Sequence, residues 1–279
     1  MSCIVGQPPS SSDRGRSNTH AARTCSLALI EQRFKRAIDS SLPQKREDDP
    51  SVLAIGYSGG LGSTVLLDLA SRLLAPSGKD NSPRRRWKEI NVLHIEKEEA
   101  NCSSTSLWAA IIGRYPEFKF KALRLADDFH NILPQAASKP SLGLLTGDPS
   151  VTLEQYLRVL PTESARVATI RNLTRLALEH HAGALGASHL LLGTSLSSMS
   201  SAMISRICQG GGFTLGSERG NHTDNLCVVV PLQDVMAKEC AAWLKWNDLQ
   251  TIGNTVPRPV ASIESLTRGK TFFQGLSPR

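Results

Sequence analysis

Aromatic residues make up only 5% of this chain and charged residues only 20%. No stretch approaches the roughly 18 apolar residues a membrane-spanning helix needs, so no spanning segment and no membrane partner is expected. The start, MSCIVGQPPSSSDRGRSNTH, holds no apolar h-region behind a charged end, which argues against a secretory leader. None of the six cysteines pairs as C-x-x-C, and no spacing matches a structural zinc site, so no metal site is expected. Free thiols in a reducing cytosol are the default, and a cytoplasmic location follows.

What is present bounds the fold. The 279 residues suffice for one large α/β domain with arms, and 40% hydrophobic residues are too many for wholesale disorder. Lys plus Arg number 32 against 25 Asp plus Glu, a net charge of +7. The excess is local. Residues 72–88 hold Arg72, Lys79, Arg84, Arg85, Arg86 and Lys88 against Asp80 alone, a local +5. The last 29 residues are +3 and the first 51 are +2, which leaves the middle of the chain acidic. A basic loop at 79–88 suits a phosphate backbone, with Arg84, Arg85, Arg86 and Lys88 as candidate nucleic-acid contacts. SPRRRWK reads equally well as a solvated loop.

Periodicity divides the chain. Residues 1–25 read as a disordered arm. Residues 26–50 read as an amphipathic helix on Leu27, Ile30, Phe34 and Ile38, followed by a charged linker. Residues 51–250 read as the folded domain and 251–279 as a basic tail. Within the domain, strands are expected at 52–57, 90–96, 118–126, 189–195 and 226–232. Between them lie helices at 61–74, 103–115, 151–160, 162–182 and 197–209, with a last one at 235–249, and a loop is expected over 132–150. Alternating strands and helices predict an α/β fold: a five-stranded parallel sheet with helices on both faces, an N-terminal helix and flexible arms.

The most informative stretch is Ser58-Gly59-Gly60-Leu61-Gly62-Ser63-Thr64, between a buried strand and a helix. Adjacent glycines allow a tight turn and close approach of a ligand. The helix N-terminus offers unpaired N–H groups suited to phosphate, and Ser58, Ser63 and Thr64 offer hydroxyls. A Walker A loop is excluded because no Lys precedes Ser63 or Thr64, and a dinucleotide fingerprint because no glycine follows at the required step. A plain glycine-rich turn without ligand is the alternative.

This stretch resembles the PP-loop, SGGxDS, of N-type ATP pyrophosphatases, a family that binds ATP on a parallel sheet and adenylates its substrate. The aspartate position is Gly62 here. The run Leu191-Leu192-Gly193-Thr194-Ser195-Leu196-Ser197-Ser198 stands where active relatives carry a GHxxDD-like element, and both acidic positions are hydroxyl residues. Gly193, Thr194 and Ser195 would form a second nucleotide-facing element. With MSSAMISRICQGGGF and VVVPLQDVMAKECAAW, the chain resembles the cytoplasmic tRNA 2-thiolation protein 2 family over residues 26–255, most specifically at 57–68 and 190–240.

That resemblance implies an accessory subunit paired with a catalytic PP-loop thiolase. Together they would place sulfur on C2 of the wobble uridine of the Lys, Glu and Gln tRNAs, taken from a thiocarboxylated ubiquitin-related modifier. The cofactor is left open: ATP is implied by the superfamily, while the lost carboxylates argue against its hydrolysis. The family's terminal cysteine pairs are missing here. Two other readings stay open, a self-sufficient ATP-dependent adenylating enzyme and a scaffold without a nucleotide site.

No catalytic constellation can be named from spacing. Cys208, Cys227 and Cys240 read as core thiols and Cys102 as an exposed loop thiol. Adjacent His180 and His181 point about 100° apart on a helix, a poor pair of metal ligands. His222, Trp243, Trp246 and Arg206 carry weak signals.

Overall fold

Short runs of β-branched and aliphatic residues form the centre of the molecule. The computed structural model describes residues 11–41, 51–74, 87–96, 102–137, 151–208, 222–223 and 226–252. Its elements are α1 (Ser11–Ser41), β1 (Ser51–Tyr57), α2 (Leu61–Leu74), β2 (Trp87–Glu96), α3 (Cys102–Arg114), β3 (Lys119–Arg124) and α4 (Leu125–Ala137). Then follow α5 (Leu153–Val159), α6 (Glu163–Ala184), β4 (Ala187–Leu192), α7 (Leu196–Cys208), β5 (His222–Thr223), β6 (Leu226–Val229) and α8 (Ala237–Trp246).

The sheet order is β3-β2-β1-β4-β6-β5. The first five strands of that order pair in parallel, as the sequence predicts, and the two-residue β5 adds an antiparallel edge. Register puts Ile55 beside Val92 and Leu191, and Leu191 beside Val229. These side chains share one face with Ile30, Phe34 and Ile38 of α1, the inner side of α2, and Trp243 of α8. The opposite face carries Ala54, Leu93 and Leu190 under Leu178 and Ala182 of α6. Phe129 and Ile132 of α4, Tyr156 of α5 and Leu173 of α6 form a further cluster on that side. Burying one such aromatic or branched side chain contributes about 2–3 kcal/mol.

A carboxylate ties two of these helices together. Asp68 of α2 is 3% exposed. Its Oδ2 accepts from Trp243 Nε1 at 2.8 Å, its Oδ1 accepts from Tyr115 Oη at 3.3 Å, and Arg72 Nε stands 2.9 Å from Oδ2. A buried charge persists when it is paired and hydrogen-bonded in this way.

Several sequence expectations change. The first helix begins at Ser11, so residues 11–25, expected as a disordered arm, are helical. The third strand ends at Arg124, and α4 runs to Ala137 with Pro134 inside it, where the sequence predicts the start of the 132–150 loop. Pro134 removes one helical hydrogen bond, a cost of about 3 kcal/mol in an isolated helix. Buried Phe129, Ile132 and Leu133 offset it. The second strand begins at Trp87, so Lys88 is an exposed residue of a strand rather than of a loop. Cys208 is exposed at the end of α7 and not a core thiol. Cys102 opens α3 rather than lying in a loop. Arg84, Arg85, Arg86, the linker, most of the 132–150 segment and the basic tail from 253 lie outside the described residues. Among the described residues, no helix is long and apolar enough to cross a membrane.

Candidate functional site at the switch point of the sheet

The strand order places the site. From β1 the chain moves outward through β2 to β3, then returns to β4 on the other side of β1. The carboxyl ends of β1 and β4 therefore flank the point where the winding reverses, and ligands of open parallel sheets bind in that crevice. The loop after β1 is Ser58-Gly59-Gly60, and the loop after β4 is Gly193-Thr194-Ser195. The fold thus brings the two predicted site segments face to face.

They touch through backbone. A Cβ placed on Gly62 would stand 2.0 Å from the Gly193 carbonyl oxygen. A Cβ on Gly193 would stand 2.6 Å from the Ser63 nitrogen and Cα, and 2.7 Å from the Gly62 carbonyl carbon. Neither position admits a side chain without movement of main chain. The aspartate of SGGxDS therefore has neither a counterpart nor room at position 62. The residues present do not fit a magnesium–pyrophosphate group held in the manner of that motif.

The hydroxyls of the turn are engaged internally. Ser63 Oγ donates to Gly60 O at 3.0 Å and Thr64 Oγ1 donates to the same oxygen at 2.9 Å. The Thr64 amide also donates there, at 3.0 Å. With its own proton spent, Ser63 Oγ accepts from Ser58 Oγ at 3.2 Å. Thr64 Oγ1 lies 3.3 Å from Tyr57 Oη. Ser195 is buried, and its Oγ accepts from the Ser198 amide at 3.4 Å, so it caps α7. Thr194 is half-buried beside it.

A second tie comes from the end of the described chain. The Ile252 amide donates to Gly59 O at 3.0 Å. Gly59 has φ +76°, and a Cβ there would lie 2.8 Å from Ile252 Cβ. Glycine is required here for conformation and for space alike. Nothing in the sequence pattern points to Ile252.

Rings fill the adjoining end of β2. His94 Nδ1 lies 2.8 Å from Tyr57 O, a carbonyl that can only accept, so Nδ1 carries the proton. Trp108 of α3 stacks on His94 at 4.5 Å and on Tyr57 at 5.7 Å. Burial raises the pKa of the Tyr57 phenol, partly offset by Thr64. Sequence reasoning misses this cluster because its members come from three elements.

The remaining candidates disperse. His181 Nε2 lies 2.8 Å from Asp128 Oδ2, away from the switch point. Trp243 is core, bonded to Asp68, and the Arg23 guanidinium stands over Trp246. His222 lies in β5. Cys25, Cys208, Cys227 and Cys240 sit on four different elements. Burial raises the thiol pKa of Cys227, and that of Cys240 to about 12, which disfavours the reactive thiolate. No group of three or more His, Cys, Asp or Glu able to hold a metal occurs among the described residues.

The order of parallel strands and the glycine turn at the switch point define a PP-loop-type, adenine-nucleotide-α-hydrolase-like α/β fold. A solved structure agrees. The U34-tRNA thiolase NcsA of Methanococcus maripaludis, described with its [4Fe-4S] cluster, matches 91% of this chain and 82% of its own at TM-score 0.52 and 14% identity. Two others match more loosely. A phosphoadenylyl-sulfate reductase of Candida auris covers 95% of both chains at TM-score 0.41 and 12% identity. An NH3-dependent NAD synthetase of Campylobacter jejuni matches 91% of this chain and 88% of its own at TM-score 0.43 and 15% identity. No protein-family model and no curated protein sequence matches the chain.

Proposed function

We propose that this chain is an accessory, non-catalytic subunit of a tRNA thiolase. It would pair with a catalytic PP-loop subunit for 2-thiolation of the wobble uridine in cytoplasmic Lys, Glu and Gln tRNAs. Sulfur would reach the partner from a thiocarboxylated ubiquitin-related modifier. The observation that carries the reading is the backbone contact between Gly62 and Gly193. It occupies the place where an active PP-loop holds its carboxylate, while the surrounding fold is retained. A chain that adenylates its own substrate needs that carboxylate, so the self-sufficient enzyme is the weaker reading. The dispersed thiols, two of them held protonated by burial, fit a subunit that does not carry the sulfur itself. The fold held in common with a U34-tRNA thiolase is in keeping with this role.

Mass spectrometry of wobble thiouridine in cells lacking this chain tests the proposal. Loss of the 2-thio group, restored by the wild-type chain, is the expected result. Unchanged thiouridine overturns it. Pyrophosphate release by the isolated chain with ATP, magnesium and tRNA would restore the self-sufficient enzyme.

A further inference from the structure

Three helices each send an arginine to the end of a fourth. Arg23 of α1 donates to Trp246 O. Arg72, in the last turn of α2, donates to Asn247 Oδ1 at 2.9 Å. Arg114, in the last turn of α3, donates to Asn247 O at 3.2 Å and to Asp248 O at 3.3 Å. The acceptors belong to three consecutive residues, each about 3.8 Å from the next along the chain, so the guanidinium groups gather closely. Lys245 stands exposed beside them.

Helix capping does not account for this gathering. Carbonyls at a helix end favour a cation, but α8 closes on its own groups. The Asn247 amide and Nδ2 both donate to Trp243 O, at 3.1 and 2.9 Å, and the Leu249 amide donates to Leu244 O at 3.0 Å. Asp248, at φ +49°, then turns the chain out of the helix. Both carbonyls that Arg114 holds lie beyond Trp246, the last helical residue.

The charge is not cancelled in place. Arg72 stands 2.9 Å from Asp68, but Arg23 and Arg114 bond only main-chain carbonyls among the described residues. The neighbouring carboxylates in the chain are the exposed Asp248 and Glu117, which accepts from Ser71. A carbonyl fixes a guanidinium without neutralising it, and each guanidinium carries more N–H groups than these bonds take. Arg72 and Arg114 are exposed. Arg23 is half-buried, with its guanidinium 5.9 Å from the ring centre of the half-buried Trp246.

Arginine forks held ready beside an indole suit a phosphodiester backbone. Its oxygens take paired guanidinium bonds, and its bases stack on aromatic faces. The middle of a protein interface is depleted of charge, whereas nucleic-acid interfaces are polar and positive, which favours RNA over an acidic protein. We propose that Arg23, Arg72 and Arg114, with Lys245, grip the phosphate backbone of the tRNA at the end of α8. This rests on the reading of the chain as a tRNA thiolase subunit and adds a surface to it. The segment that follows bonds the glycine turn through Ile252, so the grip and the switch point share one stretch of chain.

The test uses the full chain and purified Lys tRNA, with filter binding from about 50 to 200 mM salt. Arg23→Gln with Arg114→Gln should weaken binding at least tenfold and lower the salt slope of log affinity by about 2. Arg72 is kept because Asp68 pairs with it. Should that variant melt below the wild type, Lys245→Gln carries the test: the side chain is exposed, so the melt should hold while the slope falls by about 1. Lys238→Gln, the same loss of charge at the other end of α8, should change neither affinity nor slope. Wild-type binding in the arginine variant, equal weakening by Lys238→Gln, or no tRNA binding by the wild-type chain overturns the surface. Loss of binding to the purified thiolase subunit with tRNA binding intact assigns the arginines to a protein and overturns it too. The accessory-subunit reading fails separately, when deletion of the chain leaves wobble thiouridine unchanged.

Discussion

Trp243 Nε1 donates to Asp68 Oδ2 at 2.8 Å, joining the last helix of the domain to the helix of the glycine turn. The acceptor is a buried carboxylate that also takes a bond from Tyr115. Asp68→Ala leaves an indole N–H and a phenol O–H without their acceptor, so stability should fall by about 3 kcal/mol. Urea denaturation checks this, and a fall below about 0.5 kcal/mol, the range of an ordinary surface change, contradicts the tie. Trp243→Phe, which keeps an aromatic ring and removes the donor, should cost less.

Position 62 is the tightest steric point of the site. Gly62→Ala places a methyl 2.0 Å from Gly193 O and should cost about 3 kcal/mol. Gly62→Asp, which rebuilds the PP-loop motif, should cost more and confer no pyrophosphate release. Thermal melting and a pyrophosphate assay read the two outcomes. A stable Gly62→Asp chain that releases pyrophosphate would show that the crevice opens freely.

Alkaline pH should weaken the fold. Burial, then the neighbouring Glu239, pushes the Cys240 thiol from an ordinary 9.0 up to about 12. The folded state therefore holds this proton more tightly than the unfolded state. Its stabilisation is complete below about pH 9 and is lost as pH rises toward 12, at no more than about 1.4 kcal/mol per pH unit. Burial raises Tyr57 and Tyr115 as well, which extends the decline above pH 10. Urea midpoints at pH 8, 9 and 10 should decline, and Cys240→Ala should flatten the step between 9 and 10. An equal slope in the variant sinks the assignment.

The basic run concerns RNA. Under the proposed function, changing Arg84, Arg85 and Arg86 to alanine should weaken tRNA binding at every sequence tested. Each arginine that pairs with a phosphate adds about 1 to the salt slope of log affinity, so its removal should lower the slope by that amount. Filter binding from about 50 to 200 mM salt measures it, and an unchanged slope leaves the run a solvated segment.

The strands are legible in the sequence because parallel strands covered on both faces read as unbroken apolar runs, as in VLAIGY and HLLL. The helix over Leu125–Ala137 is not, because Pro134 signals a stop that the buried side of Phe129, Ile132 and Leu133 overrides. Both halves of the site are visible as loops. Their contact is not, since Gly62 and Gly193 meet only once the sheet sets β1 beside β4. Cys208 reads as core because its helix is apolar, and the same apolarity faces outward in the folded chain.

The first helix packs against the last. Arg33 of α1 bonds Glu239 of α8 across 206 residues of chain. A ribosome adding about 5–20 residues per second takes roughly 10–40 s to cover that distance. Throughout that interval Ile30, Phe34 and Ile38 lack the β6 and α8 surfaces they finally cover. The nascent chain therefore carries α1 with part of its apolar side uncovered until α8 has emerged, and yield in the cell should follow the supply of chaperones that shield it.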